Sequence, residues 1–424
     1  MNPFRFIHTA DVHLDSPLKG LARHEGSAAD SIRTATRTAL HQLVGLAIEE
    51  QVSFLIIAGD LYDGDWRDYR TGLYFVSEMG RLHRSGIPVY LLYGNHDARS
   101  QITRRLTLPG NVHVFGSRRP QSIAIDSLNV VLHGQSFRQR DVTDNLALNY
   151  PEPFPGAFNI GVLHTGLGGA SGHENYAPCA LADLIGKGYD YWALGHVHRA
   201  EVLHSRPHIV FPGNLQGRHV RETGAKGATM VTIDNGEISD LETLPCDVVR
   251  WTVVTVDLGS ATSFGEVLDR IRDALDDAVD TCSGGRLLAC RIVLQGRTEV
   301  HGRLLTDEEQ LLAEARSVAL GLGDDAAWVE KVIVETEPAI APEILERRED
   351  AVGELLRMLQ EAGSDTDLLR RLETDIGGMV RRLPSEVRSA VEDTVLKAAV
   401  DGDHAALIGG VAPFLSARLT EGRD

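Results

Sequence analysis

Cysteine is scarce in this chain of 424 residues: Cys179, Cys246, Cys282 and Cys290 are scattered, with no CxxC pair and no zinc-type spacing. That excludes a disulfide framework and a thiolate metal site, and predicts buried free thiols instead. No apolar run approaches the roughly 18 residues of a membrane helix, and the opening Phe4-Arg5-Phe6-Ile7 lacks the pattern of a signal peptide. A cytoplasmic protein without membrane segments is expected. Internal repeats and low-complexity tracts are absent as well. So is an excess of positive charge, since 42 basic residues face 60 acidic ones for a formal net charge of −18. Such a balance argues against a nucleic-acid partner until its distribution is considered. Residues 1–250 hold 23 Lys and Arg against 26 Asp and Glu, whereas residues 251–424 hold 19 against 34. The acidity lies in the C-terminal part. Between Arg99 and Arg140 seven arginines (Arg99, Arg104, Arg105, Arg118, Arg119, Arg138, Arg140) meet only Asp126 as countercharge, which makes either a phosphate-facing surface or a solvated face.

What is present fits an ordinary globular protein: 43% hydrophobic and 24% charged residues, enough to bury a core. At about 150 residues per domain, two or three folded units are expected. The first 245 residues read as α/β. Short β-rich runs (Phe4–His8, Val52–Ala58, Pro88–Tyr93) alternate with helical stretches near Asp30–Glu50 and Asp68–Arg84. Closely spaced strands follow at Ser122–Ile125, Leu128–His133, Asn159–His164, Tyr189–Leu194, His208–Phe211 and Ala228–Ile233. Stacked sheets flanked by helices fit both halves. Residues 246–338 read strand, helix, strand, helix, strand (Val248–Val256, Phe264–Val279, Leu287–Leu294, Asp307–Val318, Trp328–Val334), a small α+β unit without a chemical motif. Residues 339–424 are acidic and helical, with apolar positions at helical spacing in Leu345–Leu359, Leu368–Leu383, Val387–Val400 and Ala405–Leu419.

Chemistry concentrates at five predicted strand ends: Asp11-Val12-His13, Gly59-Asp60, Gly94-Asn95-His96-Asp97, His164 and Gly195-His196-Val197-His198. Strand C-termini converge on one edge of an α/β sheet, where loops shape a site. Carboxylate, amide oxygen and imidazole form a borderline ligand set that suits Mn²⁺, Fe²⁺ or Zn²⁺ and is too nitrogen-rich for a magnesium site of oxygens and water. Two metals about 3.5–4 Å apart need a shared ligand with two oxygens, and Asp60 is the candidate. Such a pair lowers the pKa of a bound water, clamps the attacking and leaving oxygens and neutralises charge, which is phosphoester hydrolysis. The leaving alkoxide of a diester still requires a proton, and His96 is the candidate donor.

This set of D-x-H, G-D, G-N-H-D, a lone H and G-H-x-H resembles the signature of the calcineurin-like metallophosphoesterase superfamily at every element. The resemblance implies a β-sandwich with helices on its outer faces. It implies Asp11, His13 and His198 on one metal, Asn95, His164 and His196 on the other, and Asp60 on both. His96 then resembles the family's proton donor, with Asp97 placed to orient its ring. The segments Phe6–Pro17 and Phe211–Arg218 look like the DNA-repair exonuclease branch, which includes SbcD-like and YhaO-type proteins. Through that branch the resemblance implies a DNA substrate, two ions with Mn²⁺ first, and a small α+β capping domain; a homodimer is a further partner to consider, on which the sequence does not decide. It further implies docking of residues 340–424 on a coiled-coil ATPase of SbcC-like or YhaN-like type, although the apolar stripes of that region equally fit helices folded back on their own domain. Asp63 stands where related nucleases often carry a histidine, and Gly64 where protein phosphatases of the superfamily carry an arginine. The second departure weakens a protein phosphatase reading.

Weaker candidates are Arg218 and Arg221, which could grip a phosphate or form surface ion pairs with Glu222, and Arg99 in the basic stretch. Trp66 and Tyr69 could stack on a base or pack on the next helix. Twelve of the 17 histidines, among them His8, His133, His173, His208 and His219, have no assigned role and read as structural. Two other functions compete with a DNA nuclease: a phosphodiesterase for small substrates such as cyclic nucleotides, and a scaffold that binds an ATPase with little catalysis.

Overall fold

The run Phe54-Leu55-Ile56-Ile57-Ala58 has no polar alternation, the mark of a strand covered on both faces, and all five residues are buried. The same is true of Phe158–His164 and Tyr191–Gly195. These runs form the heart of a computed structural model that describes residues 3–16, 18, 27–63, 69–99, 106–169, 176–323, 325–339, 349, 351–384 and 394–421. In chain order the first part comprises β1 (Phe4–Thr9), α1 (Ser27–Glu49), β2 (Phe54–Ala58), α2 (Tyr69–Arg84), β3 (Val89–Leu92), β4 (Val112–Val114), β5 (Gln121–Ile125) and β6 (Val130–Gly134). It continues with β7 (Phe158–His164), α3 (Leu181–Gly186), β8 (Tyr191–Gly195), β9 (Ala200–Ser205), β10 (His208–Pro212), β11 (Gly227–Asp234) and β12 (Glu237–Pro245).

Two six-stranded sheets result, with orders β12-β11-β1-β2-β3-β4 and β5-β6-β7-β8-β10-β9. The register Phe6↔Phe54 and Ile7↔Leu55 between parallel β1 and β2 sends successive pairs to opposite faces. Phe6 and Phe54 stack at 4.8 Å and belong to the core that also holds Leu132, Ile160, Val162, Tyr191 and Ala193 of the second sheet. Ile7 and Leu55 instead face Leu40, Leu43, Phe75 and Met79 of α1 and α2. On the far face of the second sheet, Leu163, Trp192 and Leu194 pack with Leu146, Tyr150 and Leu184. The expected α/β class, a β-sandwich with helices on its outer faces, is what the first part forms.

The chain then builds a three-stranded sheet, β13-β14-β15, from β13 (Val249–Asp257), β14 (Leu287–Thr298) and β15 (Ala327–Pro338), with α4 (Phe264–Cys282), α5 (His301–Thr306) and α6 (Glu308–Gly321) between them. The buried Val267, Ile271, Leu275 and Ala278 give α4 its apolar stripe. Among the described residues four helices follow: α7 (Ala351–Ala362), α8 (Thr366–Val380), α9 (Thr394–Asp401) and α10 (His404–Glu421). Asp365 caps α8 by accepting from the N–H groups of Asp367 and Leu368. Two compact units emerge, one of Met1–Thr252 with Thr281–Ala289 and Asp324–Trp328, the other of Val253–Asp280, Cys290–Gly323 and Val329–Asp424. No helix among the described residues is long and apolar enough to cross a membrane.

Some readings need correction. Cys179, Cys246 and Cys290 are buried free thiols as expected, but Cys282, in the last turn of α4, is exposed. The strands β9 and β12 went unread because they lie at sheet edges, where mostly exposed positions leave little apolar signal. Parts of the helices expected over Leu345–Leu359 and Val387–Val400 fall outside the described residues, as do Trp66, Arg104, Arg105 and His173.

His8 shows what a structural histidine does here. Its Nε2 donates to the Leu194 carbonyl (3.0 Å) and its Nδ1 accepts from the Tyr191 hydroxyl (2.9 Å), a pairing that requires the neutral ring. Burial lowers its pKa to about 3, against the pull of the Leu194 carbonyl. Above the ordinary value of 6.5 folded and unfolded chains are both neutral at this ring. Below it the unfolded chain takes up a proton that the folded chain refuses, so stability is lost as pH falls from 6.5 towards 3. The urea midpoint is expected to drop over that window by an amount equivalent to about 1.4 kcal/mol per pH unit from this group, and His8→Gln flattens the slope. An unchanged slope in the variant would assign the pH sensitivity elsewhere.

Candidate metal centre

Asp11 follows β1, Asp60 follows β2 and Asn95 follows β3, three neighbouring parallel strands of one sheet. His164 ends β7 and His196 follows β8, parallel neighbours in the other sheet. Both sheets therefore deliver side chains at strand C-termini to one end of the sandwich, as expected for open α/β arrangements. The loops are zipped together, with the N–H of Asp11 donating to the Gly59 carbonyl and that of His13 to the Asp60 carbonyl, each at 3.0 Å. Asp11, His13, Asp60 and His196 all have positive φ, between 43° and 101°. Non-glycine residues are held there only when their surroundings demand it, and such strain gathers at functional sites. The motif glycines have a plain reason too. A Cβ on Gly94 would sit 2.3 Å from Asp60 Oδ1, and one on Gly195 would sit 2.0 Å from the Ala58 carbonyl oxygen.

Donor chemistry tests whether these residues suit cations. His164 Nδ1 lies 2.9 Å from the Ala58 carbonyl, which only accepts, so Nδ1 carries the proton. Nε2 then turns its lone pair towards Asn95 Oδ1 at 2.9 Å and Asp60 Oδ2 at 3.4 Å. Three acceptors converging in a buried place repel one another unless a cation or a second proton lies among them. For the proton, burial works against the charged ring, yet Asp60, Asp11 and the Ala58 carbonyl raise the pKa of His164 to about 9. A second group repeats the pattern. His198 Nε2 lies 3.2 Å from His13 Nε2 and 3.9 Å from Asp11 Oδ1, and that carboxylate oxygen is buried with no hydrogen-bond partner among the described residues. Asp11, His13 and His198 thus form one cluster with metal-ligand spacing, Asp60, His164 and His196 another, and His13, Asp60 and His96 a third between them. Burial would push the Asp60 carboxyl up, but His164, His96 and His13 hold it well below the ordinary range. It is the anionic centre of the site.

His96, the member of the third group that neither of the other two contains, is part-buried. Its backbone N–H donates to Asp60 Oδ1 at 3.0 Å, and its Nε2 lies 4.0 Å from Asp60 Oδ2. The expectation that Asp97 orients this ring is not met. The Asp97 carboxylate accepts from the N–H groups of Leu61, Tyr62 and Gly94 at 2.8–3.1 Å, so it ties two ligand loops together. Burial and the nearby Asp60 raise its pKa to about 7, against those three N–H bonds. The ring is oriented instead by Asp63, whose Oδ1 lies 3.0 Å from His96 Nδ1 and whose Oδ2 accepts from Ser16 Oγ at 2.7 Å.

Arg218 reaches the site: its guanidinium is 3.8 Å from Asp63 and 3.4 Å from Ser16 Oγ, and 14% of the side chain is exposed. Arg221 lies exposed in the turn that follows. The backbone of Arg99 ends a short 3₁₀ turn, and its side chain lies outside the described residues. Glu222, mentioned in the sequence only as an ion-pair partner, is buried and lies 2.6 Å from His198 Nδ1. Tyr69 stands half exposed at the start of α2.

Comparison with known proteins places the chain in a family. Residues 4–200 match the family described as calcineurin-like phosphoesterase, and residues 251–337 match the middle domain of metallophosphoesterase YhaO. The chain is 35% identical over 295 residues to metallophosphoesterase YhaO of Bacillus subtilis, spanning 69% of this chain and 71% of that protein. It is 24% identical over 292 residues to the DNA double-strand break repair protein Mre11 of Sulfurisphaera tokodaii, spanning 65% and 70%. A dimetal phosphatase structure from Danio rerio aligns at 13% identity and a TM-score of 0.34, over 55% of this chain and 93% of that one. The family has a dinuclear metal centre, its members are metal-dependent phosphoester hydrolases, and the two clusters here carry the donors for such a centre. With 35% identity across most of both chains, this protein belongs to the YhaO-type family of calcineurin-like metallophosphoesterases.

Proposed function

We propose that the site hydrolyses DNA phosphodiesters, as an exonuclease or single-strand endonuclease, with two Mn²⁺ ions ahead of Fe²⁺ or Zn²⁺. The observation that carries this reading is His96, an imidazole whose Nε2 lies 4.0 Å from the central carboxylate of Asp60 and whose Nδ1 is held by Asp63. A diester releases an alkoxide, which departs far better when protonated, and His96 is placed to supply that proton. Asp11, His13 and His198 would hold one ion, Asn95, His164 and His196 the other, with Asp60 shared between them. When bound, such a pair supplies an activated water as nucleophile and neutralises charge on the phosphoryl oxygens. Arg218, between Asp63 and His198, grips a non-bridging oxygen, while Arg221 and Arg99 serve the flanking backbone.

A DNA substrate is supported by the name of the Mre11 relative and by the exposed Arg118, Arg119 and Arg138. We read the chain as a catalytic domain over residues 1–245, a capping domain over 246–338 and a docking region over 339–424. In the last, Leu355, Met358, Met379, Phe414 and Leu415 are exposed and apolar, which suits docking on a coiled-coil ATPase of SbcC-like or YhaN-like type. Cytoplasmic location and pairing with a second copy complete the reading.

A substrate panel with Mn²⁺ tests it. Labelled single-stranded and duplex oligonucleotides are expected to be cut, with cyclic nucleotides turned over poorly. Brisk cyclic-nucleotide turnover without DNA cleavage would move the assignment to small substrates, and inertness towards every phosphodiester with metals bound would make the chain a scaffold. Co-purification with the ATPase is expected to be lost on deleting residues 340–424, and unchanged co-purification would refute the docking assignment.

A further inference from the structure

The two halves of the metal centre are supported differently. On one side, His164 has its proton fixed on Nδ1 by a neutral backbone carbonyl, that of Ala58. On the other, His198 Nδ1 lies 2.6 Å from Oε1 of the buried Glu222. A carboxylate cannot donate, so His198 carries its proton on Nδ1 and presents the Nε2 lone pair to His13 Nε2 and Asp11 Oδ1. Glu222 itself cannot swing in as a ligand, because its other oxygen accepts from Asn214 Nδ2 at 2.9 Å and from the backbone N–H of Arg218 at 2.7 Å. Asn214 and Arg218 belong to the loop that returns past the site, where the N–H of Leu215 faces the Asp11 carbonyl at 3.5 Å.

We propose that Glu222 is the positioning residue of the Asp11, His13 and His198 half of the centre. It fixes the tautomer and direction of His198, and with its second oxygen anchors the backbone from which Arg218 reaches the substrate side. A carboxylate behind a ligating imidazole has this effect in metal sites generally, and its loss lowers metal affinity about 10–100-fold. The proposal rests on the dinuclear reading of the site and adds an asymmetry to it: the two ions depend on different supports, and only one of them on Glu222.

The test is calorimetric titration of Mn²⁺ into the full-length wild-type chain and into Glu222→Gln, with thermal melting to check folding and electron paramagnetic resonance as a second readout. The wild type is expected to bind two ions and to give the broadened spectrum of a coupled pair. Glu222→Gln keeps the side-chain volume but turns an amide N–H against the N–H groups of Asn214 and Arg218. It is expected to bind one ion with wild-type affinity and the other about 10–100-fold more weakly, giving the sharp spectrum of an isolated ion at one equivalent. Glu222→Asp keeps the charge and withdraws the oxygen from His198, so it is expected to show the same selective loss, and it carries the test if Glu222→Gln fails to fold. Two ions held with wild-type affinity in both variants would overturn the proposal, as would equal weakening of both ions. A wild-type chain that binds fewer than two ions would overturn the dinuclear reading itself, which is a distinguishable result.

Discussion

Asp60→Asn is expected to abolish phosphodiester hydrolysis while leaving the fold intact. The side chain is buried between two sheets, its Oδ1 accepts the His96 backbone N–H, and its Oδ2 faces His164 Nε2 at 3.4 Å. Asparagine keeps that first hydrogen bond and offers an N–H to the imidazole, so the backbone has no cause to move. What it removes is the carboxylate proposed to be shared by the two ions. If the shared carboxylate supplies several kcal/mol of transition-state stabilisation through the ions it holds, the rate falls by at least about 10³-fold, since 1.36 kcal/mol corresponds to a factor of ten. The check is kcat/KM on a labelled oligonucleotide, with circular dichroism and bound metal measured on the same preparation. A variant that cuts within tenfold of the wild type would remove Asp60 from the chemistry.

The second large effect is leaving-group dependence in His96→Ala. With the proton donor gone, substrates that release an alkoxide are expected to slow by about 10²–10⁴-fold, the usual range for general acid catalysis. A p-nitrophenyl phosphodiester releases an anion that is stable without a proton, so its hydrolysis is expected to fall far less, with both ions still bound. Asp63→Asn leaves the imidazole in place but weakens its orientation, because an amide holds His96 Nδ1 less firmly than a carboxylate at 3.0 Å. It is expected to give the same pattern at about a tenth of the size in fold terms. Equal losses on both substrate types would show that His96 acts through binding rather than proton transfer.

Most of the site was legible in the sequence because its ligands sit directly after apolar strands. Phe54–Ala58 leads into Asp60 and Val89–Leu92 leads into Asn95, so reading the strands already placed the side chains. The glycines of the motif were legible as residues but not as reasons: that Gly94 and Gly195 make room for Asp60 and the Ala58 carbonyl depends on how the two sheets meet. The supporting carboxylates were the part missed. Nothing local tells Asp97 from Asp63 as the partner of His96, because the choice is made by loop geometry that turns Asp97 onto three backbone N–H groups. Glu222 lies 24 residues from His198 and meets it only because the chain returns through β10 and the Asn214–Arg218 loop. Edge strands escaped for a related reason, since the exposed residues of β9 and β12 carry hydrogen-bonding information and little hydrophobic pattern.

The most direct measurement of the central claim is an anomalous difference map from crystals of the full chain grown with Mn²⁺. Two peaks about 3.5–4 Å apart are predicted, one in contact with Asp11, His13 and His198, the other with Asn95, His164 and His196, and Asp60 touching both. A single peak, or two peaks with Asp60 bound to only one, would contradict the account.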